Sequence, residues 1–509
     1  MSAISTVSAT STVPAAATTA SSISFIAGEI VPSILDNAPY SSLKATYDLT
    51  DPNTGDVLYK VSCVKVEDAL QICESAAKAF KKWQFHSPAA KRAIFLKALA
   101  LLEERKEQFI KLAVSETTAN GLWAAVDYQL AWNVVSETAA LSTALKGEIV
   151  PTEDGQRAYV ERVPYGVVFG MAPWNAPLVL AVRAFANAIM AGNTCILKTS
   201  EHSPKVHTFA AQLFVDAGLP AGVLNVVHIA QQDAPAVCEA IIAHPAVRKV
   251  NFTGSTIVGA KIAEVCGKHL KPACLELGGK SPVIVMANAN LKAAANAVLF
   301  GGLSHSGQIC MSSDSLIVHE SVAVEFTQML ADHLSTRPAT AQPDSPMGYR
   351  GLFTPTCAER VMALIADALE HGATIVAGQH SSEKNVVQPI ILEGTKPGMR
   401  IFSEEIFGPA MTLNQFKTVE EAVQMANSSD YGLAASVYGS NEADCFAVAK
   451  QIEAGQVHIN GATVQDSQVV PHGGLKKSGY GRFNGIEGLR EFSTTKTITI
   501  NIPHCAYPV

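Results

Sequence analysis

Residues 166–201, "GVVFGMAPWNAPLVLAVRAFANAIMAGNTCILKTSE", decide the fold. A short apolar run is followed by a helix-length stretch beginning near Pro177, and then by a second apolar run. The alternation continues through "PKVHTFAAQLFVDAG", "GVLNVVHI", "APAVCEAIIAH", "RKVNFTGS", "TIVGAKIAEVCGKH" and "ACLELGG". Strand, crossover helix, strand, repeated four times, predicts right-handed βαβ units and a parallel sheet covered on both faces. Ligands of such a sheet gather at the carboxyl ends of its strands.

Working outward, the stretch before this region is predicted to be mostly helical. In "VEDALQICESAAKAFKKW", Ala69, Cys73, Ala76 and Phe80 recur at three- and four-residue steps while Lys78, Lys81 and Lys82 face elsewhere. A second α/β region starts near "SPVIVM" and runs past "ATIVAGQ", "MTLNQF" and "ASVYGS". Near the end, "KTITINIP" alternates Ile498, Ile500 and Ile502 with Thr and Asn. With "RAYVERV" it predicts either an arm that pairs with another subunit or an ordinary edge hairpin of the same chain.

The totals narrow the classes. A chain of 509 residues with 48% hydrophobic and 16% charged residues is globular and long enough for two or three domains. Its net charge of −7 argues against a nucleic acid held by bulk charge. The 10 cysteines show neither C-x-x-C pairs nor zinc-type spacing with His, so no metal site or disulfide framework is expected. The first 43 residues lack Lys and Arg and include the low-complexity "STVSATSTVPAAATTASS", which fits neither a secretory signal nor a mitochondrial presequence. They predict a disordered or loosely attached tail on a cytoplasmic enzyme. The most apolar segment, Gly166 to Gly192, is broken by Asn175, Arg183 and Asn187, so no membrane span is expected.

Several short motifs carry chemistry, each with a plainer alternative. "FTGSTIVG" offers Gly254, Ser255 and Gly259 at a helix N-terminus, where backbone N–H groups suit a pyrophosphate and where a tight turn reads the same. "LKTSE" brings Lys198 and Glu201 to a strand end, as ribose ligands or as solvated loop charges. Glu276 in "LELGGKSP" sits between leucines, so partial desolvation raises its pKa toward the range of a general base; a paired structural Glu looks the same. The Gly-Gly after it permits close approach. Asn175 in "APWNAP" is a candidate oxyanion donor or an N-cap. Cys310 in "GQICMSSDS" stands, on its neighbours alone, as filler or nucleophile.

Their order is more informative than any one of them. "PWN", "LKTSE", "FTGS", "LELGGKSP", "GQIC", "SEEIFGP" and "PHGGLKKSGYGR" follow one another as in the aldehyde dehydrogenase superfamily, and the chain resembles that family from about Tyr47 to Ile502. The resemblance implies an α/β aldehyde dehydrogenase-like fold. It implies an NAD-binding domain with a Rossmann-type sheet over residues 44–156 and 165–276, a catalytic domain over 277–480, and an oligomerisation arm over 157–164 and 481–509. It also implies that Cys310 is the nucleophile, Glu276 the general base, and Asn175 with the Cys310 N–H the oxyanion site. An aldehyde would then be oxidised through a thiohemiacetal and a thioester. Trp174, Lys198, Glu201, Gly254, Ser255, Gly259, Glu405 and Phe407 are implied as cofactor contacts, with Glu201 favouring NAD and leaving NADP as an alternative. Thr199 departs from the family's "KPSE", and His472 from its usual Phe or Trp in "PFGG"; no role is assigned to His472.

The sequence looks most like the salicylaldehyde, benzaldehyde and vanillin dehydrogenase branch, which implies an aromatic aldehyde as substrate and a homodimer or homotetramer. Aliphatic aldehydes or semialdehydes are the alternative within the class, and a Cys-dependent thiol esterase outside it. Arg183 lies eight residues after Asn175, about 80° away on a helix, and is expected either to border the substrate tunnel or to form an internal salt bridge. Trp123 and Met311 are further candidates for the tunnel.

Overall fold

The computed structural model describes residues 24–41, 45–152, 156–337, 339 and 349–501. The five apolar runs read from the sequence form the parallel centre of an eight-stranded sheet. In space their order is Ala273–Glu276, Val247–Thr253, Val167–Met171, Thr194–Lys198 and Leu224–Val227. The chain moves one way over the first three strands it forms, then crosses back to place Val247–Thr253 beside Val167–Met171. This reversal opens a crevice between the ends of those two strands, where Trp174 and Gly254 follow them.

Both faces are covered, as a parallel sheet requires. Pro177–Met190 and Pro204–Asp216 lie on one side with the helices Pro88–Glu104, Lys106–Glu116 and Gly121–Ala140. Ala69–Trp83, Ala234–Ala243 and Thr256–Lys268 lie on the other. Every residue of Pro177–Met190 is buried, Arg183 and Asn187 included, so its two polar side chains must find partners inside the protein.

The two outer strands at one edge of the sheet correct an expectation. The segment predicted to be a loose tail includes Ser33–Leu35, which pairs antiparallel with Leu224–Val227, and Ala38–Tyr40, which pairs with Ser33–Leu35. Phe25, Val31 and Ile34 are buried. The low-complexity composition ends before Phe25, and Asp36 and Asn37, both at positive φ, make the tight two-residue turn that favours such residues. The expectation for residues 1–23, like that for 502–509, lies outside the described residues. At the opposite edge, Gly479–Tyr480 pairs antiparallel with Ala273–Glu276.

The second α/β region forms a seven-stranded sheet. Its order is Thr374–Gly378, Ile390–Glu393, Ala410–Phe416, Ser313–His319, Ser281–Val285, Ala434–Tyr438 and Gln456–Ile459, parallel except for the first pair. A separate three-stranded antiparallel sheet joins Glu148–Pro151, Arg157–Pro164 and Ser493–Ile500. Glu148–Pro151 thus adds a third strand to the pair read from the sequence. Among the described residues, no helix is long and apolar enough to cross a membrane.

Candidate active site

The carboxyl ends of the first sheet face the loop that carries Cys310. Before that cysteine, His305, Ser306 and Gly307 all adopt positive φ, a run that non-glycine residues enter only at a cost in strain. The turn is held from outside: Gln308 Nε2 donates to the His305 carbonyl at 3.0 Å, Gln308 Oε1 accepts from Phe353 N at 2.8 Å, and Ser306 Oγ donates to the Arg350 carbonyl at 2.6 Å.

Cys310 Sγ then donates to Glu276 Oε1 at 3.4 Å. Burial pushes the Cys310 thiol well above its ordinary range, and the Glu276 charge adds to this. Burial alone would also lift the Glu276 carboxyl, but the imidazole of His472 and, after it, Arg183 outweigh burial and hold it below the usual carboxylate range. A buried carboxyl held low in its range thus lies against the Cys310 thiol. The two glycines after Glu276 make this approach possible: a Cβ on Gly278 would strike the Glu405 carboxylate, and one on Gly279 would strike the Cys310 carbonyl oxygen.

Asn175 stands beside the same loop. Its Nδ2 donates to the Gln308 carbonyl at 3.0 Å, and its own carbonyl accepts from Trp123 Nε1 at 2.8 Å. Asn175 does not cap the helix that follows. That work falls to Asp127, whose two carboxylate oxygens accept from Leu178 N at 3.0 Å and Val179 N at 2.8 Å. Asp127 was not singled out in the sequence, since nothing local marks a residue fifty positions upstream as a cap.

The residues expected to contact a cofactor end or follow strands of the first sheet, apart from Glu405 and Phe407, which follow the short helix Arg400–Ser403. Gly254 N donates to the Glu276 carbonyl at 3.0 Å, and Ser255 caps the Thr256–Lys268 helix through Val258 N. A Cβ on Gly259 would clash with Leu277, so glycine there lets the helix start close to the sheet. Lys198 Nζ lies 3.6 Å from Glu201 Oε2. Glu405 accepts from Gly279 N at 3.0 Å, and burial lifts its carboxyl to about 7. Trp174 packs against Phe353 and meets Phe407 edge-on, with centroids 4.2 and 6.2 Å away. A dinucleotide fits this set: backbone donors at a helix start, a Lys–Glu pair for a ribose, and a second buried carboxyl farther along.

This arrangement of sheet, crevice and thiol is matched along nearly the whole chain. The model of the aldehyde dehydrogenase family matches residues 40–498. The chain belongs to the aldehyde dehydrogenase family. It is 41% identical to a vanillin dehydrogenase of Pseudomonas fluorescens over 91% of this chain and 96% of that one. It is 38% identical to a salicylaldehyde dehydrogenase of Pseudomonas putida over 92% and 97% of the two chains. Among solved structures, a salicylaldehyde dehydrogenase from Pseudomonas putida G7 complexed with salicylaldehyde superposes with a TM-score of 0.91, at 36% identity, covering 94% of this chain and 99% of that one. As a member of the aldehyde dehydrogenase family, the protein is an oxidoreductase that oxidises aldehydes.

The candidates for the substrate tunnel are placed less openly than expected. Arg183 is buried, and its guanidinium is paired with Asp466 behind Glu276, the internal salt bridge among the two expected arrangements. A desolvated guanidinium holds such a carboxylate strongly. Met311 is buried in the helical core beside the sheet. Trp123 stacks on His305 with ring centroids 5.3 Å apart. The residue without an assigned role, His472, is wholly buried with Nε2 3.1 Å from Glu276 Oε1.

Proposed function

We propose that the protein oxidises an aromatic aldehyde to its carboxylic acid with NAD as cofactor, through a covalent adduct on Cys310. The contact between Cys310 Sγ and Glu276 Oε1, beside Asn175 and at the crevice of the first sheet, carries this reading. Its aromatic part is supported by the likeness to dehydrogenases of vanillin and salicylaldehyde.

In this reading Glu276 removes the thiol proton, and Cys310 Sγ attacks the aldehyde carbon. The amide of Asn175 has two hydrogens, of which one is used on the Gln308 carbonyl; the other is available to the new oxyanion together with the Cys310 N–H. The nicotinamide ring, when bound, supplies a hydride acceptor. Lys198, Glu201 and Glu405 would hold the two riboses, Gly254, Ser255 and Gly259 the pyrophosphate, and Trp174 and Phe407 would shape the nicotinamide end. A carboxylate at Glu201 repels a 2′-phosphate, which favours NAD over NADP. After hydride loss the acyl group remains on Cys310 as a thioester, and Glu276 activates the water that releases it.

The first sheet then serves as the cofactor domain and the second as the catalytic domain, with the three-stranded arm joining subunits of a dimer or tetramer. NADH formation from salicylaldehyde, benzaldehyde, hexanal and succinic semialdehyde, each with NAD and with NADP, tests the proposal. The aromatic aldehydes and NAD are expected to give the highest kcat/KM. A tenfold preference for hexanal would overturn the aromatic assignment, and turnover of nitrophenyl esters without any NADH formation would overturn the oxidation itself.

A further inference from the structure

His472 is fully buried between two carboxylates. Its Nε2 lies 3.1 Å from Glu276 Oε1, and its Nδ1 lies 3.7 Å from Asp466 Oδ1. The backbone fixes the ring from below, because His472 N donates to the Phe483 carbonyl at 2.9 Å and Phe483 N returns the bond at 2.7 Å. Asp466 is fixed in turn by the Arg183 guanidinium and by Asn484 Nδ2 at 3.0 Å. Neither His472 nitrogen meets hydrogen-bond geometry among the described residues, and Glu276 Oε2 also lacks a partner there. The imidazole thus sits within reach of Glu276 but off the hydrogen-bond direction.

The groups facing His472 come from separate elements. Glu276 ends the Ala273–Glu276 strand, Asp466 lies on the segment after Gln456–Ile459, and His458 on that strand also feels Asp466 and His472. Arg183 comes from Pro177–Met190, and Cys310 stands on the far side of Glu276. Counted as ions, the two carboxylates and one guanidinium leave a single negative charge around the imidazole. One added proton makes the group neutral.

We propose that His472 is a positioning residue for the oxidation described above: braced by Asp466, its imidazole holds the Glu276 carboxylate against Cys310, ready to take the thiol proton and later a proton from water. The inference rests on the reading of Cys310 and Glu276 as nucleophile and base. In that reading Glu276 acts twice in each turnover, first on the thiol and then on water. The first proton must leave its carboxylate before the second can be taken.

The S–H bond of Cys310 breaks and an O–H bond forms on Glu276 Oε1; that O–H bond then breaks and its proton passes to solvent. Glu276 is again an anion when water attacks the thioester. It receives a proton from that water, which returns to the Cys310 sulfur when the acid leaves, the hydride having gone to the cofactor.

The test compares the parent with His472→Phe and His472→Gln, each checked for parental thermal stability and NAD affinity. Both variants are expected to lose at least tenfold in kcat and to gain a burst of NADH near one equivalent per site, because deacylation becomes the slow step. The acid limb of kcat/KM should also move up by at least one pH unit, since Glu276 loses the partner that holds its carboxyl down. A folded variant with kcat within twofold of the parent and an unmoved acid limb would overturn the proposal. If both variants unfold, Asp466→Asn, which loosens the ring without removing it, should give the same burst in weaker form, and its absence counts against the proposal.

Failure of the underlying reading looks different, since the parent itself would then form no NADH. Alkylation of Cys310 by iodoacetamide, followed on the Cys310 peptide, needs neither aldehyde nor cofactor. Its pH midpoint should rise by at least one unit in His472→Phe, and an unchanged midpoint would reject the role of His472 by itself.

Discussion

Cys310 shows what a single residue owes to its surroundings. Of the described cysteines, all but Cys310 and Cys357 are buried, and only Cys310 lies against a carboxylate. Cys310→Ala is expected to abolish NADH formation while leaving NAD affinity, measured by calorimetry or fluorescence, close to that of the parent. Asn175→Ala should lower kcat by about 10²–10³ if the amide serves an oxyanion; a change confined to KM in steady-state kinetics would contradict that role. The types and order of Cys310, Glu276 and Asn175 were legible from their motifs. The partners that tune them were not, because Asp466 and Arg183 are 283 positions apart and no local pattern links them. For His472 there was a signal, an imidazole where the family usually carries an aromatic ring, but its meaning needed the distance to Glu276.

Among elements, the Pro177–Met190 helix has the clearest division of labour. Its own Pro177 suits the first turn, yet the N–H groups of Leu178 and Val179, which have no partner within the helix, are met by Asp127 from the helix Gly121–Ala140. Asp127→Ala would leave two buried donors unpaired and is expected to cost about 2 kcal/mol in denaturant unfolding. Because Asn175 stands just before this helix, the same variant should also lower kcat, and unaltered turnover in a destabilised variant would show that the cap and the amide are independent. Strands and helices of the two sheets followed the apolar alternation closely, since each parallel strand is buried on both faces. The edge strands Ser33–Leu35, Ala38–Tyr40 and Gly479–Tyr480 escaped it. They are two or three residues long, too short to show a period, and pairing rather than composition defines them.

At the scale of the whole molecule, the arm presents an apolar row across its three strands: Ile149 pairs with Tyr159, which pairs with Ile498. Ile149 and Ile498 are 72% and 40% exposed in the single chain, and the proposed contact between subunits would cover them. Replacing Ile149 and Ile498 by Lys should shift the mass seen in light scattering toward the monomer, and an unchanged mass would move the interface elsewhere. The fold class was legible from the alternation of strand and helix, but the place of residues 24–41 in the first sheet was not. It depends on a hairpin closed by Asp36 and Asn37 and on where Phe25 packs, both of which are tertiary matters.

The Gly479–Tyr480 strand ties this geometry to the order in which a ribosome delivers the chain. Glu276 lies on the strand that Gly479–Tyr480 covers, and His472 reaches it from the same late segment. Although the five parallel strands are all synthesised by Glu276, the sheet cannot be completed until more than two hundred further residues have emerged. Domains generally fold as units during synthesis, but here Glu276 stays at an unfinished edge until translation is almost over. From the synthesis of Cys310 to that of His472, 162 residues later, the growing chain therefore carries its thiol without the imidazole that comes to stand beside Glu276.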